Sequence, residues 1–175
     1  MFFKTLALFA TAVSAMPILP STESVNTLLP RDNGGVNIVN NLDFPIYIWS
    51  VSNNAGDMQT LEANGGAYNE NWRHNNNGGG VSIKLATKPT QDDVLQFEYT
   101  PSSNTIFWDM SCINMGTDSE FTKYGFAVKS SDHQCPTAVC HANDASCSAA
   151  YLRPDDNQAT HGCPIETAFQ LEIGQ

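Results

Sequence analysis

Through much of this 175-residue chain, apolar and polar residues alternate in short runs bounded by Gly, Pro, Asn and Ser. A period of two marks strands with one buried face. The clearest case is Val94 to Gly116, VLQFEYTPSSNTIFWDMSCINMG. Leu95, Phe97 and Tyr99 alternate on the way out, and Ile106, Trp108 and Met110 on the way back, with Pro101-Ser102-Ser103-Asn104 as turn chemistry between them. Pairing Thr100 with Thr105 sets Phe97 opposite Trp108 and Tyr99 opposite Ile106, uniting both apolar sets on one face. A one-residue slip would split them.

Other segments follow the same pattern. Gly35–Asn40 and Pro45–Val51 predict strands separated by a turn-like insert at Asn41–Phe44. In the second, Ile46 and Ile48 face one way and Tyr47, Trp49 and Val51 the other, so a central strand covered on both sides is expected. Met58–Leu61 and Ala67–Arg73 are weaker strands, and Val81, Ile83 and Leu85 alternate cleanly after the flexible Asn75–Gly80 connection. Tyr124, Phe126 and Val128 predict another strand, and Thr167, Phe169, Leu171 and Ile173 a last one. One helical turn is expected at Ser148–Leu152. Many short strands and no long amphipathic helix indicate an all-β fold, an antiparallel β-sandwich with a disulfide-rich loop block.

The first residues alter the picture of where such a domain works. Lys4, the apolar run Thr5–Val13 and the small residues Val13-Ser14-Ala15 predict a secretory signal peptide over residues 1–15. Residues 16–31 are proline-punctuated and read as a linker or pro-segment. Pro30-Arg31 is either a single-basic processing site or part of an ordinary tail. Residues 32–175 form the expected single domain. The C-terminus lacks the apolar tail of a GPI anchor, and no Asn-x-Ser/Thr sequon is present.

Eighteen acids against eight bases give a formal net charge of −10. Only Lys4, Glu23 and Arg31 among these precede Asp32, so the domain carries the excess. Such a surface repels phosphate backbones, which argues against nucleic-acid partners.

Five cysteines, Cys112, Cys135, Cys140, Cys147 and Cys163, lie in the second half. In a secreted chain they read as disulfides. A zinc set of Cys135, Cys140, His141 and Cys147 lacks paired C-x-x-C spacing, so no metal is expected. Cys112, at a strand end, is the natural spare thiol, and three pairings of the other four remain open. His74, His133, His141 and His161 show no nucleophile or metal spacing and read as solvent-facing or loop residues. No G-x-S-x-G turn supplies a serine nucleophile.

The hairpin also places acids. In the register above Glu98 faces Phe107, and Asp109 is its diagonal neighbour on the polar face. Diagonal neighbours are about 7–8 Å apart. The carboxylates of inverting glycosidases stand roughly 6.5–9.5 Å apart. That spacing permits acid/base chemistry, but any two acids on a wet hairpin face would satisfy it.

At FWDMSCINMG and the block CPTAVC…CSAAYLRPDD…C, the chain resembles the Blastomyces yeast-phase-specific protein family, small secreted fungal proteins similar to minimal thaumatins. NIVNNLDFPIYIWSV, GGAYNENWRH and GGGVSIK extend the likeness over roughly Gly35 to Ile173. The resemblance implies a thaumatin-like sandwich, a fungal source and an extracellular or cell-wall location, with no established activity for the family as a whole. Family members usually carry a cysteine where this chain has Leu42, with a partner at the C-terminus. Both halves of that bridge are absent here, so packing between Leu42 and Leu171 or Ile173 is expected to replace it. By the same comparison Cys112 is an extra cysteine.

FEYT is similar to the AEFT segment of plant thaumatin-like proteins, and FWDMSCIN to their FYDVSLVD. The likeness carries Glu98 and Asp109 onto acids of a cleft associated in some members with β-1,3-glucan. The second cleft aspartate falls on Asn114, which can hydrogen-bond a sugar but cannot act as a general base. The cleft arginine has no secure match; Arg73 and Lys84 are the nearest bases.

The expected function is therefore a non-catalytic secreted binding protein at the cell wall or host interface. It would bind β-glucan, another wall polysaccharide or a host protein, and an effector or virulence role would follow from such binding. Glycan-binding candidates are Glu98, Asp109, Asn114, Tyr68, Trp72 and Arg73, the aromatics at 68 and 72 offering sugar platforms, although Trp72, with its large apolar area, is equally a core candidate. The alternatives are a weak endo-β-1,3-glucanase with Glu98 as acid and Asp109 as base, and a structural or antigenic surface protein. No cofactor and no membrane partner are expected. The protein is expected to be a monomer, with Cys112 available for an intermolecular disulfide.

Overall fold

The structure, a computed structural model, describes residues 34–156 and 158–175. The expected signal peptide, linker and Pro30-Arg31 site lie outside these residues. Eleven strands and one short helix are present in them: β1 Gly35–Asn40, β2 Ile46–Val51, β3 Gln59–Leu61, β4 Gly66–Asn71, β5 Val81–Ala86, β6 Leu95–Ser102, β7 Thr105–Ser111, α1 Glu120–Tyr124, β8 Phe126–Ser130, β9 Ala138–Cys140, β10 His161–Pro164 and β11 Ala168–Ile173. They form a five-stranded sheet in the order β4-β1-β11-β8-β9 and a six-stranded sheet in the order β10-β7-β6-β5-β2-β3. The described strand pairs are antiparallel except β1 and β11, which run parallel at the middle of the smaller sheet. No helix among the described residues is long and apolar enough to cross a membrane.

Alternation explains the core. Val36, Ile38, Val128, Phe169 and Leu171 of one sheet meet Ile48, Ile83, Leu85, Phe97 and Trp108 of the other in one buried cluster. Phe97 stacks on Trp108 at 6.0 Å between ring centroids, and Phe169 sits 4.8 Å from Trp108. Each such ring buried contributes about 1.5–3 kcal/mol, so the β6–β7 hairpin supplies a large share of the sandwich's cohesion.

The hairpin corrects the expected register. Its loop is two residues, Ser103-Asn104, with Ser103 at φ 53°, and the pairing runs Ser102 to Thr105, Tyr99 to Trp108 and Phe97 to Met110. β5 ends opposite Tyr99, so beyond that point β6 becomes the edge strand beside β7 and β10, and Pro101 stands at an edge position that proline tolerates. The shift from the expected register is two residues. Because side chains alternate with period two, every residue keeps its face.

Three further expectations change. β2 is next to an edge rather than central, and its outer residue Trp49 is buried in a small cluster with Ala86 and Val94, flanked by Tyr47 and Val51, instead of under a layer. Tyr124 ends α1 rather than opening a strand. Gly125, at φ 73°, stops the helix, and a side chain there would strike the Cys140 carbonyl. Ser148–Leu152 makes turns, not a helical turn; Tyr151 instead runs beside β7, donating to the Met110 carbonyl and accepting from the Cys112 amide, both at 2.8 Å.

Disulfides join Cys135 to Cys163 and Cys140 to Cys147, leaving Cys112 as the free thiol. The two bridges use three of the residues of the zinc set. Leu42 is buried in the same core as Leu171 and Ile173, and Gly174 passes so close that a side chain there would overlap the leucine.

Candidate functional site

The outward residues of β6 and β7 form the site. Inward positions carry Phe97, Tyr99, Trp108 and Met110, so by alternation Gln96, Glu98 and Thr100 face out from β6, and Phe107, Asp109 and Ser111 from β7. In the observed register Glu98 lies directly opposite Asp109. The two acids are cross-strand partners, not diagonal neighbours, so their Cβ atoms stand about 4.5–5.5 Å apart. This brings the two carboxyl groups closer together than the diagonal register would.

Two carboxylates this close cannot both ionise freely. Burial first, and the Glu98 charge second, push Asp109 up to about 7. Burial also raises Glu98, while a hydrogen bond from Ser82 and the charge of Lys84 pull it back. Asp109 Oδ1 is buried with no hydrogen-bond partner among the described residues. Near neutral pH the pair therefore takes up a proton, in a titration that belongs to the two acids together.

The acids open into a cleft of about 370 Å³ whose lining includes Ser82, Thr100, Phe107 and Thr160. Phe107 is 43% exposed, large for an aromatic ring. Gly162 is its partner on β10, and a Cβ there would press on the ring at 3.3 Å. Glycine thus leaves the space in which the ring lies beside the acids. Phe107 is the site residue that sequence reasoning missed. The signal was present: it shares the outward parity of Asp109, on a face otherwise polar.

Asn114 lies one row away. It is exposed and accepts a hydrogen bond from Gln96 Nε2 at 3.2 Å, and Gln96 also reaches Ser111 at 3.3 Å. Lys84 stands on the same face, paired with Gln96 across β5 and β6.

Tyr68, Trp72 and Arg73 are not at the cleft; the reading of Tyr68 as an exposed platform is corrected, and Trp72 takes its core alternative. Strand β4 alternates with Tyr68 and Glu70 turned inward, and Trp72 continues that parity. Trp72 packs between the sheets, 4.7 Å from Tyr99, 5.8 Å from Phe169 and parallel to Phe97 at 6.3 Å. Glu70, another residue not foreseen, accepts hydrogen bonds from Tyr68 Oη at 2.5 Å and from Tyr99 Oη, and pairs with Arg73 Nε at 3.4 Å. Arg73 also donates to Ser50 at 2.8 Å. Burial, then the Glu70 hydrogen bond and charge, hold both tyrosine hydroxyls well above their ordinary range.

His161 departs from its expected loop position. It sits in β10, half-buried, 4.7 Å from the Trp108 ring, with Nε2 unpartnered among the described residues, and burial lowers its pKa. His74, His133 and His141 are exposed. No three His, Cys, Asp or Glu side chains among the described residues are grouped to hold a metal. Burial pushes the Cys112 thiol up to about 12, leaving little thiolate for an intermolecular disulfide at neutral pH.

Comparison with known proteins fits this geometry. Residues 29–174 match the Blastomyces yeast-phase-specific protein family. The chain is 40% identical over 176 residues to the secreted thaumatin-like protein calA of Emericella nidulans, covering 99% of this chain and 98% of that protein. It is also 40% identical over 140 residues to an antigenic thaumatin-like protein of Arthroderma benhamiae, covering 80% of this chain and 70% of that one. Among solved structures, the protein elicitor MoHrip2 of Magnaporthe oryzae superposes with a TM-score of 0.66 at 22% identity, over 81% of this chain and 99% of that one. The thaumatin-like xylanase inhibitor TLXI superposes at 0.53 and 10% identity, over 79% and 97%. These two likenesses concern the fold alone. With the sandwich, the cysteine block and the relatives in agreement, the chain belongs to the Blastomyces yeast-phase-specific protein family and is a secreted thaumatin-like protein.

Proposed function

We propose that the protein binds glycan in the Glu98–Asp109 cleft without cleaving it, and acts by that binding at the cell wall or host interface. The observation that carries this reading is the acid pair side by side on one pleated sheet face, flanked by the exposed Phe107 ring. A ring gives a sugar an apolar platform, and a carboxylate next to a protonated carboxyl offers acceptor and donor to neighbouring hydroxyls. The unpartnered Asp109 Oδ1 is one such group awaiting a partner. Charge repulsion disfavours an acidic polysaccharide, so a neutral β-glucan is the preferred ligand.

The same placement argues against turnover. A glycosidase needs its two carboxyl groups flanking the scissile bond. Neighbours on one sheet face present both groups from the same side, and Asn114 adds no third acid. One observation favours the endo-β-1,3-glucanase reading: Asp109, raised to about 7, still carries a proton in about half of the molecules at neutral pH, and a general acid needs one. That assigns the acid to Asp109 and the base or nucleophile to Glu98, the reverse of the expectation from sequence.

The test is equilibrium binding of a soluble β-1,3-glucan to the purified Asp32–Gln175 protein, with reducing ends counted in the same samples. Saturable binding, weakened at least about tenfold in Glu98→Gln and Phe107→Ala with no reducing-end release, is expected. Release that disappears in Glu98→Gln would make the protein an enzyme. Absence of binding to any wall polysaccharide would leave a host-protein or structural role.

A further inference from the structure

Another cavity, of about 440 Å³, shares no lining residue with the acidic cleft. It opens between α1, the loop after β7 and the loop closed by the Cys140–Cys147 disulfide. Phe121 and Phe126, both almost completely buried, form its floor, and Met115 and Leu152 add apolar wall. Leu152 is 38% exposed and Ile113, next to the lining Cys112, is 37% exposed. Leu152 is one of the five large apolar side chains exposed among the described residues, so the apolar lining reaches the surface.

The walls are fixed in place. The disulfide closes the loop, the Asn143 amide donates to the Thr122 carbonyl of α1 at 2.7 Å, and the Cys112 amide is tied to Tyr151 at 2.8 Å. Gly116, another lining residue, donates its amide to Asp93 at 2.8 Å. A preformed, mainly apolar concavity with a few polar groups, in the 300–1,000 Å³ range, is the form small-molecule sites take.

The polar groups decide what it accepts. The charged lining residue is Asp144, with His141 beside it, and no lysine or arginine is among the described lining residues. Asp144 is held in place by accepting from the Ser146 amide at 2.9 Å. A carboxylate, sulfate or phosphate head would meet repulsion there with no compensating cation, in a chain already of net charge −10. A hydroxyl or ammonium head finds an acceptor.

We propose that this cavity binds a small apolar molecule bearing a neutral hydroxyl or a cationic amine, and discriminates against anionic amphiphiles. The ligand is held by packing and one polar contact, not by a bond to sulfur, because the Cys112 thiol in the wall is kept protonated by burial. This site is independent of the glycan cleft and stands or falls apart from it.

The probes are octan-1-ol, octylamine and octanoate, titrated into protein carrying ¹³C-methyl methionine. Met115 lines the cavity, while Met58, exposed elsewhere, serves as the control. Octan-1-ol and octylamine are expected to move the Met115 methyl resonance saturably, with a Kd of roughly 0.1–1 mM for ligands this small. Octanoate should bind at least about tenfold more weakly, and Met58 should not respond. Ala145→Trp, a substitution at an exposed lining residue, should abolish the response while the buried Met110 resonance stays native; Thr117→Trp serves if that variant fails to fold. In Asp144→Asn, which keeps the acceptor for Ser146, octylamine should lose its advantage over octanoate.

No saturable Met115 shift, an equal shift at Met58, or full binding by both cavity-filled variants would overturn the site. A preference unchanged in Asp144→Asn would overturn the head-group assignment.

Discussion

Two acidic sites in this sandwich, one bridging the two sheets and one on neighbouring strands of the larger sheet, differ in almost every physical respect. Glu70 is turned inward with its side chain 10% exposed, and Tyr68, Tyr99 and Arg73 all bond to it. Its charge has an opposite charge and two donors, so it serves the fold by tying β4 to β6 and, through Arg73 and Ser50, to β2. Glu98 and Asp109 face outward, have like charge, and leave an oxygen unpartnered. A satisfied carboxylate stabilises; an unsatisfied pair opening into a cleft is organised for something that is not part of the chain. Acid count along the sequence does not separate the two cases. Partners do.

The contrast is sharpest in stability. Glu70→Ala leaves two tyrosine hydroxyls and an arginine without their acceptor, and should lower unfolding free energy by roughly 3–5 kcal/mol, read from the urea midpoint at constant m. Tyr99→Phe should cost about 1–2 kcal/mol by the same assay. A Glu70→Ala variant as stable as the native protein would remove the distinction.

Asp109→Asn should act in the opposite direction. The folded-state pKa of Asp109, about 7, lies above its ordinary value of 3.8, so between these the folded protein keeps a proton that the unfolded chain releases. The stability this contributes is complete below about pH 4 and lost as pH rises through 7. Asparagine stays neutral throughout. The variant should match the native protein near pH 4 and exceed it by about 1–2 kcal/mol at pH 8, after allowance for solvent screening at a half-buried group. Destabilisation at pH 8 would mean that the pair is held by contacts not accounted for.

Glu98→Gln should change stability by less than about 0.5 kcal/mol while lowering the Asp109 midpoint, since one of its two causes is removed. The smallest effect belongs to Ser82→Ala. Losing that hydrogen bond should raise the Glu98 midpoint, observed by carboxyl-carbon NMR, with no measurable change in folding.

Much of the sandwich was legible because period two is a local property. Ile83 and Leu85, Phe97 and Tyr99, and Phe169 and Leu171 reveal their faces without knowledge of their partners, and those faces are the observed ones. Register is not local. A four-residue turn at Pro101–Asn104 and a two-residue loop at Ser103-Asn104 give the same faces but move Asp109 from the diagonal of Glu98 to directly opposite it. The choice rested on Ser103 adopting a left-handed φ, which its side chain does not announce.

Trp72 stayed undecided for a related reason. Its neighbours Asn71, Arg73 and His74 are polar, yet β4 turns alternate residues inward and the ring fills the space between Phe97, Tyr99 and Phe169. A tryptophan in a polar segment is as readily a core residue as a platform. Phe107, the ring that does line the cleft, lies between the apolar Ile106 and Trp108 and entered only as the residue opposite Glu98 in the expected register. The parallel pairing of β1 with β11 was likewise unreadable, because it joins residues at opposite ends of the chain.

The most direct measurement is a pH titration of the Asp109 and Glu98 carboxyl carbons by NMR, first alone and then with a soluble β-1,3-glucan. The account predicts an Asp109 midpoint near 7 and saturable movement of both resonances on adding glucan, while Glu172, paired with Lys129 on the other sheet, does not respond to glucan. An Asp109 midpoint near 4, or carboxyl resonances indifferent to glucan, would contradict it.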